Sequence, residues 1–376
     1  MADTGRLCIS SDSHVIEPPE LFQALEKRFG DRAPRIVFNA RSGHQLDLGN
    51  GRLGLPIGGF LTAGMDIYSD ETRAQVRRGY DIARPGVYNI AARLADQDRD
   101  GVAAEVLYPS VIFNVYQLED TEVVHGAFVA YNDWLHDYVS QAPDRLFGLG
   151  SIQLRDLDAG IAEMERVKQL GFVGLCIPAT APPDKPYSDA YYDRFWAAAQ
   201  AAELPLTMHI FTGATPNHGM PNWPGVNYPL AYVGMEVSIS TIIMSGVCER
   251  FPGLKFVVTE FETGWVGNLL RRLDHGYRRT GGSSFPGVKL SMLPSDYWHR
   301  NFLVTFEDDP IGIRTRDFIG VPNLMWGSDY PHGDSIFPRS QETLDQLFAG
   351  LPAADRAAIT HGNVSRLYKL RVGTAV

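Results

Sequence analysis

Carboxylate and imidazole side chains stand where several strand-like segments of this sequence end. Asp12 and His14 follow the first segment, and His209 and Glu260 end two later ones. Asp329 follows the last segment, in the stretch WGSDYPH. Oxygen and nitrogen donors of these types bind divalent ions such as zinc or manganese. Because residues i and i+2 of an extended chain point to the same side, we predict that Asp12 and His14 contact one ion together.

Each of these residues also has a purely structural interpretation. Asp12 could cap the helix predicted at PPELFQAL, and Asp329 could bond its own backbone in a turn. A histidine on an apolar strand, such as His209, is commonly a hydrogen-bonded core residue. Four such groups at matching strand ends are improbable by chance, so their joint placement favours a metal site.

Short apolar segments alternate with longer amphipathic ones, a pattern typical of βα repeats around a parallel sheet. We predict strands at 6–10, 102–109, 145–152, 171–177, 204–210, 254–260, 301–306 and 322–328. Helices are predicted at 123–141, 156–169, 189–202, 231–251 and 340–349. Eight repeats favour an α/β fold of the distorted TIM (β/α)8 barrel type over a doubly wound open sheet. Catalytic groups of such barrels come from the C-terminal strand ends, where the candidate ligands stand.

The connection after the first predicted strand is far longer than the others. It contains a Gly-rich alternating stretch at 36–60 and a charged, helical stretch at 66–80, so we expect an insertion at about 30–95. The insertion either caps the barrel mouth or forms a surface element that contributes to the expected homodimer or higher homo-oligomer. A second long connection, 211–230, should also overhang the site. Residues 1–376 show no dividing linker and are expected to form a single domain.

Composition limits the classes of function. The 376 residues are 44% hydrophobic, and the net charge of −10 comes without a basic stripe, so nucleic acid is not an expected partner. The three cysteines lie far apart without a CxxC motif, which indicates neither a disulfide framework nor a thiolate zinc site. The sequence shows no signal-peptide pattern and no run of about 18 apolar residues, so we expect a cytoplasmic protein without membrane association.

The order of these motifs resembles the amidohydrolase superfamily. The resemblance rests on Asp-x-His-x-x-Glu-Pro after the first strand, the histidine of the fifth strand, and the segments FPGLKFVV, SDYPH and GNVSRLY. More narrowly, the chain is similar to the amidohydrolase-related branch that includes the aminocarboxymuconate-semialdehyde, resorcylate and carboxyvanillate decarboxylases. This resemblance implies one divalent ion, with zinc favoured over manganese, held by Asp12, His14, His209 and Asp329.

One position departs from the family pattern. Many members have a histidine at the end of the sixth strand that helps to activate water, whereas this chain has Glu260. A carboxylate could still transfer protons there if a dry site raised its pKa, or it could simply bind a residue next to the metal ligands. The resemblance therefore implies Asp329 and Glu260 as catalytic residues, with Asp329 moving a proton between water and substrate.

Two reactions are compatible with such a site. Protonation of a ring carbon would release CO2 from a carboxylated substrate, whereas attack on an acyl carbon would hydrolyse an amide, lactone or C–C bond. The resemblance favours a metal-dependent lyase that decarboxylates a small, aromatic or cyclic, carboxylated molecule. A metal-binding scaffold without activity is the remaining alternative.

Aromatic residues near the predicted barrel mouth suit a flat ring as substrate. The residues expected to contact it are His332, Phe211, Tyr108, Trp265 and His218. Ordinary packing is the alternative for the aromatic residues, and His218 could instead face solvent. The relatives imply an arginine for a substrate carboxylate, and the sequence leaves five candidates open: Arg41, Arg52, Arg73, Arg77 and Arg93.

Overall fold

Eight parallel strands and a separate two-stranded hairpin form the sheets of the protein. The structure is a computed structural model that describes residues 6–49, 51–213, 224–283 and 285–372. Within these ranges the strands are β1 (Ile9–His14), β2 (Arg35–Asn39), β3 (Gly43–Asp47), β4 (Ala104–Tyr108), β5 (Leu146–Ser151), β6 (Gly174–Thr180), β7 (Leu206–Gly213), β8 (Phe256–Thr259), β9 (Phe302–Phe306) and β10 (Leu324–Trp326).

The parallel strands close into a barrel. They are hydrogen-bonded in the order β1-β4-β5-β6-β7-β8-β9-β10, so each strand pairs with the next barrel strand along the chain. The first and last of them also meet, because the Asp329 amide donates to the Asp12 carbonyl over 2.9 Å and the Ser11 hydroxyl donates to the Trp326 carbonyl over 2.7 Å. The predicted distorted TIM barrel is therefore confirmed.

Gly327 allows β1 and β10 to approach this closely. A Cβ atom at this position would lie 2.5 Å from the Cβ of Asp12, a distance that real Cβ atoms do not adopt. A larger residue would push the two strands apart. The glycine of WGSDYPH thus brings Asp12 and Asp329 to the same edge of the barrel.

Helices connect successive strands and pack around the barrel. In the described part of the chain they are α1 (Pro19–Phe29), α2 (Asp70–Val76), α3 (Ile90–Asp100), α4 (Thr121–Val139), α5 (Leu157–Gln169), α6 (Asp193–Ala202), α7 (Pro224–Asn227), α8 (Tyr232–Met244), α9 (Val247–Arg250), α10 (Val266–Arg279), α11 (Pro294–Asn301), α12 (Pro310–Arg314), α13 (Arg316–Ile319), α14 (Ser340–Leu347), α15 (Ala353–Ala357) and α16 (Asn363–Tyr368). The helix predicted at 231–251 is divided into α8 and α9, because Gly246 adopts a left-handed φ of 77° between them. No described helix has the length and apolar character needed to cross a membrane.

The core lies inside and around the barrel. Every residue of β4, β8, β9 and β10 is buried, as expected for strands covered on both faces. The indoles of Trp196, Trp298 and Trp326 are fully buried and give the core much of its apolar volume.

The chain between α1 and α3 covers the stretch for which an insertion is predicted. Its 36–60 stretch contributes the antiparallel hairpin of β2 and β3, and its 66–80 stretch contributes α2. The Tyr80 hydroxyl donates to the Glu17 carbonyl over 2.9 Å, which ties the insertion to the segment that follows β1. The insertion therefore packs at the C-terminal end of the barrel.

Candidate metal centre

Asp12 and His14 lie within β1 rather than after it, and both are fully buried. The strand continues through these polar residues because it stays paired with β4, with a register irregularity between Ser10 and Ser13. The apolar pattern of the sequence does not reveal this pairing. Because of the pairing, β1 ends at His14, later than the sequence predicts. The His14 Nδ1 lies 2.8 Å from the Pro109 carbonyl oxygen, which fixes the ring.

His209 in β7 and Glu260, directly after β8, face β1 across the end of the barrel. The His209 Nδ1 lies 2.9 Å from the Ile210 carbonyl oxygen, so its Nε2 points inward. This Nε2 is 3.2 Å from the Nε2 of His14 and 2.9 Å from the Oε2 of Glu260. Glu260 has a φ of 63°, a conformation that costs a non-glycine residue roughly 1–3 kcal/mol and is commonly found at functional sites.

Asp329, shortly after β10, adds a further carboxylate. Its Oδ1 is 3.4 Å from the His14 Nε2, and the Asp12 Oδ1 is 3.5 Å from the same nitrogen. Asp329 also has a left-handed φ, of 53°. The structure thus brings together all five predicted ligand and catalytic residues, which come from four different barrel strands.

The donor atoms of this cluster suit a divalent cation. The Oδ1 of Asp12, the Oε2 of Glu260 and the Oδ1 of Asp329 are buried and have no hydrogen-bond partner within the described structure. Both imidazoles place Nδ1 at a backbone carbonyl, which can only accept, so in the neutral form of each ring the Nε2 is left with a lone pair that a metal ion can accept. Buried acceptors without donors are costly, and a cation would satisfy them.

Two overlapping groups have donor atoms within 4.8 Å of one another, the spacing that a shared ion requires. One contains Asp12, His14, His209 and Glu260, and the other contains His14, Glu260, Asp329 and His332. Glu260 belongs to both groups. Its carboxylate is therefore as well placed for an ion as the aspartates.

Carboxylates outnumber cationic groups at this end of the barrel. Burial, followed by the charges of Glu260 and Asp12, raises the pKa of Asp329 well above its usual range. Burial, followed by the charge of Glu262, does the same to the pKa of Glu307, at the end of β9. The carboxylates cannot all be ionised in this environment without a compensating cation.

His332 lies next to Asp329. Its Nδ1 lies 2.9 Å from the Asp329 Oδ1, and its Nε2 lies 2.8 Å from the Ser110 hydroxyl oxygen. Ser110 directly follows Pro109 after β4, and its backbone amide donates to the buried Glu17 carboxylate over 3.1 Å. Glu17 therefore acts on the backbone after β4, and Ser110 positions the His332 ring beside Asp329.

A cavity opens from the cluster toward the barrel mouth. It is lined by His14, Leu55, Phe60, Pro109, Ser110, Phe113, Asn114, His209, Ile210, Phe211, Glu260 and His332. Among the predicted substrate residues, His332 and Phe211 line this cavity, and Phe211 is 47% exposed. Leu55 and Phe60 come from the insertion, whose chain thus forms part of the cavity wall.

The other predicted substrate residues lie elsewhere. Tyr108 is fully buried, with its ring centroid 5.8 Å from that of His14 and 5.1 Å from that of His209, so it packs beneath the imidazoles. Trp265 donates its Nε1–H to the backbone after β8 and stacks on a neighbouring tyrosine. His218 lies outside the described residues. A substrate contact by these three residues stays a prediction.

None of the five candidate arginines lines the cavity, and no other described lysine or arginine does so. Arg93 is fully buried, donates its Nε–H to Glu105 over 2.7 Å, and donates a second hydrogen bond to the His14 carbonyl over 2.9 Å. It therefore supports the end of β1 from the side opposite the cavity.

Sequence reasoning missed several residues of this site. Ser110 stands directly after an apolar strand, so the same strand-end filter that selects His209 would have selected it. Phe113, whose ring centroid lies 4.9 Å from that of His209, was expected near the barrel mouth as one of several aromatic residues, but nothing in the sequence distinguished it from the others. Leu55 and Phe60 could not be assigned, since they reach the site only through the folding of the insertion.

The protein has an eight-stranded parallel barrel, and carboxylates and imidazoles meet at its C-terminal end. These features assign it to the class of TIM-barrel proteins with a candidate cation-binding centre. Within that class, the chain belongs to the Amidohydrolase family (Amidohydro_2), which matches residues 86–370. The matched region includes His209, Glu260 and Asp329. The matched region begins after β1 and so does not include Asp12 and His14. The structure, rather than the family match, places these two residues in the site.

Several proteins to which the chain is similar are decarboxylases. The gamma-resorcylate decarboxylase of Polaromonas sp. (strain JS666 / ATCC BAA-500) is 25% identical over 261 residues, which cover 64% of this chain and 75% of that protein. The crystal structure of 5-carboxyvanillate decarboxylase from Sphingomonas paucimobilis matches with a TM-score of 0.70 and 25% identity, covering 97% of this chain and 99% of that one. The dihydroxybenzoic acid decarboxylase of Polaromonas sp. JS666, solved with manganese and the inhibitor 2-nitroresorcinol, has the same fold, with a TM-score of 0.69, 19% identity and 97% of both chains covered.

Proposed function

We propose that this protein is a metal-dependent lyase that removes CO2, without oxidation, from a small aromatic or cyclic carboxylate. The observation that carries the proposal is the convergence of buried, unpartnered carboxylate oxygens on two inward-facing imidazoles. The named decarboxylases to which the chain is similar support this reaction over others available to the fold.

One divalent ion is proposed to be held by Asp12, His14, His209 and Asp329. The imidazoles favour zinc, and the manganese of the Polaromonas neighbour supports manganese as the alternative. When bound, the ion would polarise a substrate oxygen and lower the pKa of a coordinated group. Glu260 either completes this ligand set or handles a proton beside it, and its 2.9 Å distance from the His209 Nε2 supports the first role.

Asp329 is proposed to supply the proton that replaces CO2 on the substrate carbon. In this step the bond from the ring carbon to the carboxylate breaks, and its electron pair takes the proton from the Asp329 carboxyl group. His332 lies beside that carboxyl, with its Nδ1 2.9 Å from the Asp329 Oδ1. Neighbouring phenylalanines make the cavity apolar, which suits a flat ring and keeps water from the carbon during proton transfer.

The insertion is proposed to act as a cap, since Leu55 and Phe60 line the cavity. Assembly into a homodimer or higher homo-oligomer is also proposed. Hydrolysis of an amide, lactone or C–C bond is the second candidate activity. The absence of lysine and arginine from the described cavity lining favours it, because a neutral substrate needs no cationic side chain.

One experiment tests the proposal and its alternative together. The purified protein is analysed for bound metals, stripped by chelation, and reloaded separately with zinc and with manganese. Each form is assayed for CO2 release from hydroxybenzoates and related carboxylated rings, beside amide and lactone panels. We expect CO2 release that disappears on chelation and returns with metal. Activity that survives complete metal removal, or hydrolysis without any CO2 release, would contradict the proposed lyase.

A further inference from the structure

A second cleft lies at the end of the barrel opposite the metal centre. It has a volume of about 500 Å³ and opens where the N-terminal ends of β7, β8 and β9 meet α16. Leu204, Leu254, Phe302 and Leu367 give it an apolar floor. No step of the proposed reaction uses this end of the barrel.

Four lysine and arginine side chains line this cleft. Lys369 forms an ion pair with Glu203, and the other three are Lys255, Arg300 and Arg366. The described hydrogen bonds of Lys255 and Arg366 go to neutral acceptors, the carbonyl oxygens of Arg300 and Pro322 and the side chain of Asn363. Arg300 likewise donates only to neutral oxygens, at Cys248 and Asn301.

The cleft has no free carboxylate to balance the charges of Lys255, Arg300 and Arg366. In the described part of the chain, no carboxylate oxygen lies within 4.0 Å of any of the three cationic groups. The lining carboxylate, Glu203, is already paired with Lys369. This is unexpected in a chain with 44 acidic and 34 basic residues, where carboxylates are in excess.

The three charges are close enough to influence one another. Lys255 is half-buried, and its pKa is lowered first by desolvation and then by the charges of Arg300 and Arg366. The cationic groups retain unused N–H donors, because an ammonium has three and a guanidinium has five. Mutual repulsion combined with unused donors is relieved when an anion binds.

We propose that this cleft binds a small organic oxyanion, whose phosphate or carboxylate group contacts Lys255, Arg300 and Arg366 and whose apolar part rests on the leucine and phenylalanine floor. Ordinary solvation of three surface cations is the competing explanation. It accounts for their hydrogen bonds to carbonyl groups. It does not account for their gathering, without a carboxylate partner, over an apolar floor in one cleft.

Binding is tested by calorimetry on the metal-loaded protein at low ionic strength, with inorganic phosphate, phenyl phosphate, benzoate and phenol as probes. The double variant Lys255→Gln/Arg366→Gln removes two charges from the cleft, and Lys27→Gln, on the exposed face of α1, removes one charge elsewhere. Arg366→Gln alone is a milder variant if the double variant fails to fold. All variants leave the metal centre unchanged, which separates this site from anion binding there.

We expect saturable binding of phenyl phosphate to the wild type and to Lys27→Gln, and binding at least about tenfold weaker in the cleft variants, the scale of one lost charged hydrogen bond. Phosphate should bind more weakly than phenyl phosphate, and phenol not at all. A comparison of phenyl phosphate with benzoate distinguishes a phosphate ligand from a carboxylate ligand. Equal affinity in the wild type and the cleft variants, or no saturable binding of either oxyanion up to about 1 mM, would overturn the proposal.

Discussion

Replacing Glu17 by glutamine tests how the first strand organises the site. Glu17 is fully buried, and its two carboxylate oxygens accept backbone N–H bonds from Ser110, Val111 and Ile112 over 3.1, 2.8 and 3.2 Å. Burial disfavours the charged carboxylate, whereas these donors favour it. Burial is the larger effect and raises the pKa of Glu17 from an ordinary value of 4.5 to about 7.

The raised pKa makes the stability of the protein depend on pH in a definite direction. Between about pH 4.5 and pH 7 the folded protein holds the Glu17 proton more tightly than the unfolded chain does. The contribution of Glu17 is therefore fully present below pH 4.5 and is lost as pH rises through 7. At about 1.4 kcal/mol per pH unit, the loss amounts to about 3 kcal/mol.

Glutamine keeps the shape of the side chain but does not titrate. We therefore expect the free energy of unfolding of the wild type, measured relative to that of Glu17→Gln, to fall by about 3 kcal/mol from acidic to mildly alkaline pH. Urea unfolding of both proteins at a series of pH values measures this difference, and the titration of all other groups cancels. A difference that stays constant across the series would refute the reasoning, because it would mean that the three N–H donors fully offset burial, and a difference that rises with pH would mean that they outweigh it.

Three further predictions concern the centre itself. Asp329→Asn should retain much of the metal, because an amide oxygen still coordinates weakly, but should lose nearly all turnover, whereas His209→Ala should lose both metal and turnover. Metal analysis together with a CO2-release assay distinguishes the two variants. Full activity of Asp329→Asn would exclude a proton-transfer role for Asp329. Glu260→Gln should reduce turnover by a factor of about a hundred; loss of metal in the same variant would identify Glu260 as a ligand, and an unchanged rate would make it a bystander. Ser110→Ala removes the hydroxyl from His332 and should lower kcat about tenfold with metal content unchanged, and an unchanged kcat would show that His332 needs no such support.

The barrel could be predicted because its repeats are visible in the sequence. Each of the eight predicted strands overlaps an observed one, since alternation of short apolar and longer amphipathic segments is a local property. The ends of the strands were less accurate where pairing decides them. β6 extends to Thr180 and β1 to His14, because a polar residue can remain in a strand when its neighbour supplies the hydrogen bonds.

The identity of the site residues was predictable for a related reason. In a parallel barrel all C-terminal strand ends meet at one edge, so Asp12, His209 and Asp329 could be brought together without knowing any distance. Their exact partners could not be known. Asp329 contacts His332 rather than solvent, and Glu17 binds backbone amides rather than His14. Both contacts depend on loop conformations that no local sequence pattern specifies.

The replacement of a histidine by Glu260 has a consequence for the charge of the whole centre. Asp12, Glu260 and Asp329 together carry three negative charges when ionised, one more than a bound divalent ion supplies in compensation. A site with histidine at the Glu260 position would instead be neutral with the ion in place.

An anionic substrate therefore meets a less favourable potential here, and the described cavity lining offers no lysine or arginine to offset it. Protonation of one carboxylate would restore neutrality, and Asp329 is the residue proposed to carry that proton. In the protein without the ion, burial and the charges of Glu260 and Asp12 raise the pKa of Asp329. The same excess of negative charge that weakens binding of a carboxylate thus favours the protonated carboxyl group that decarboxylation requires.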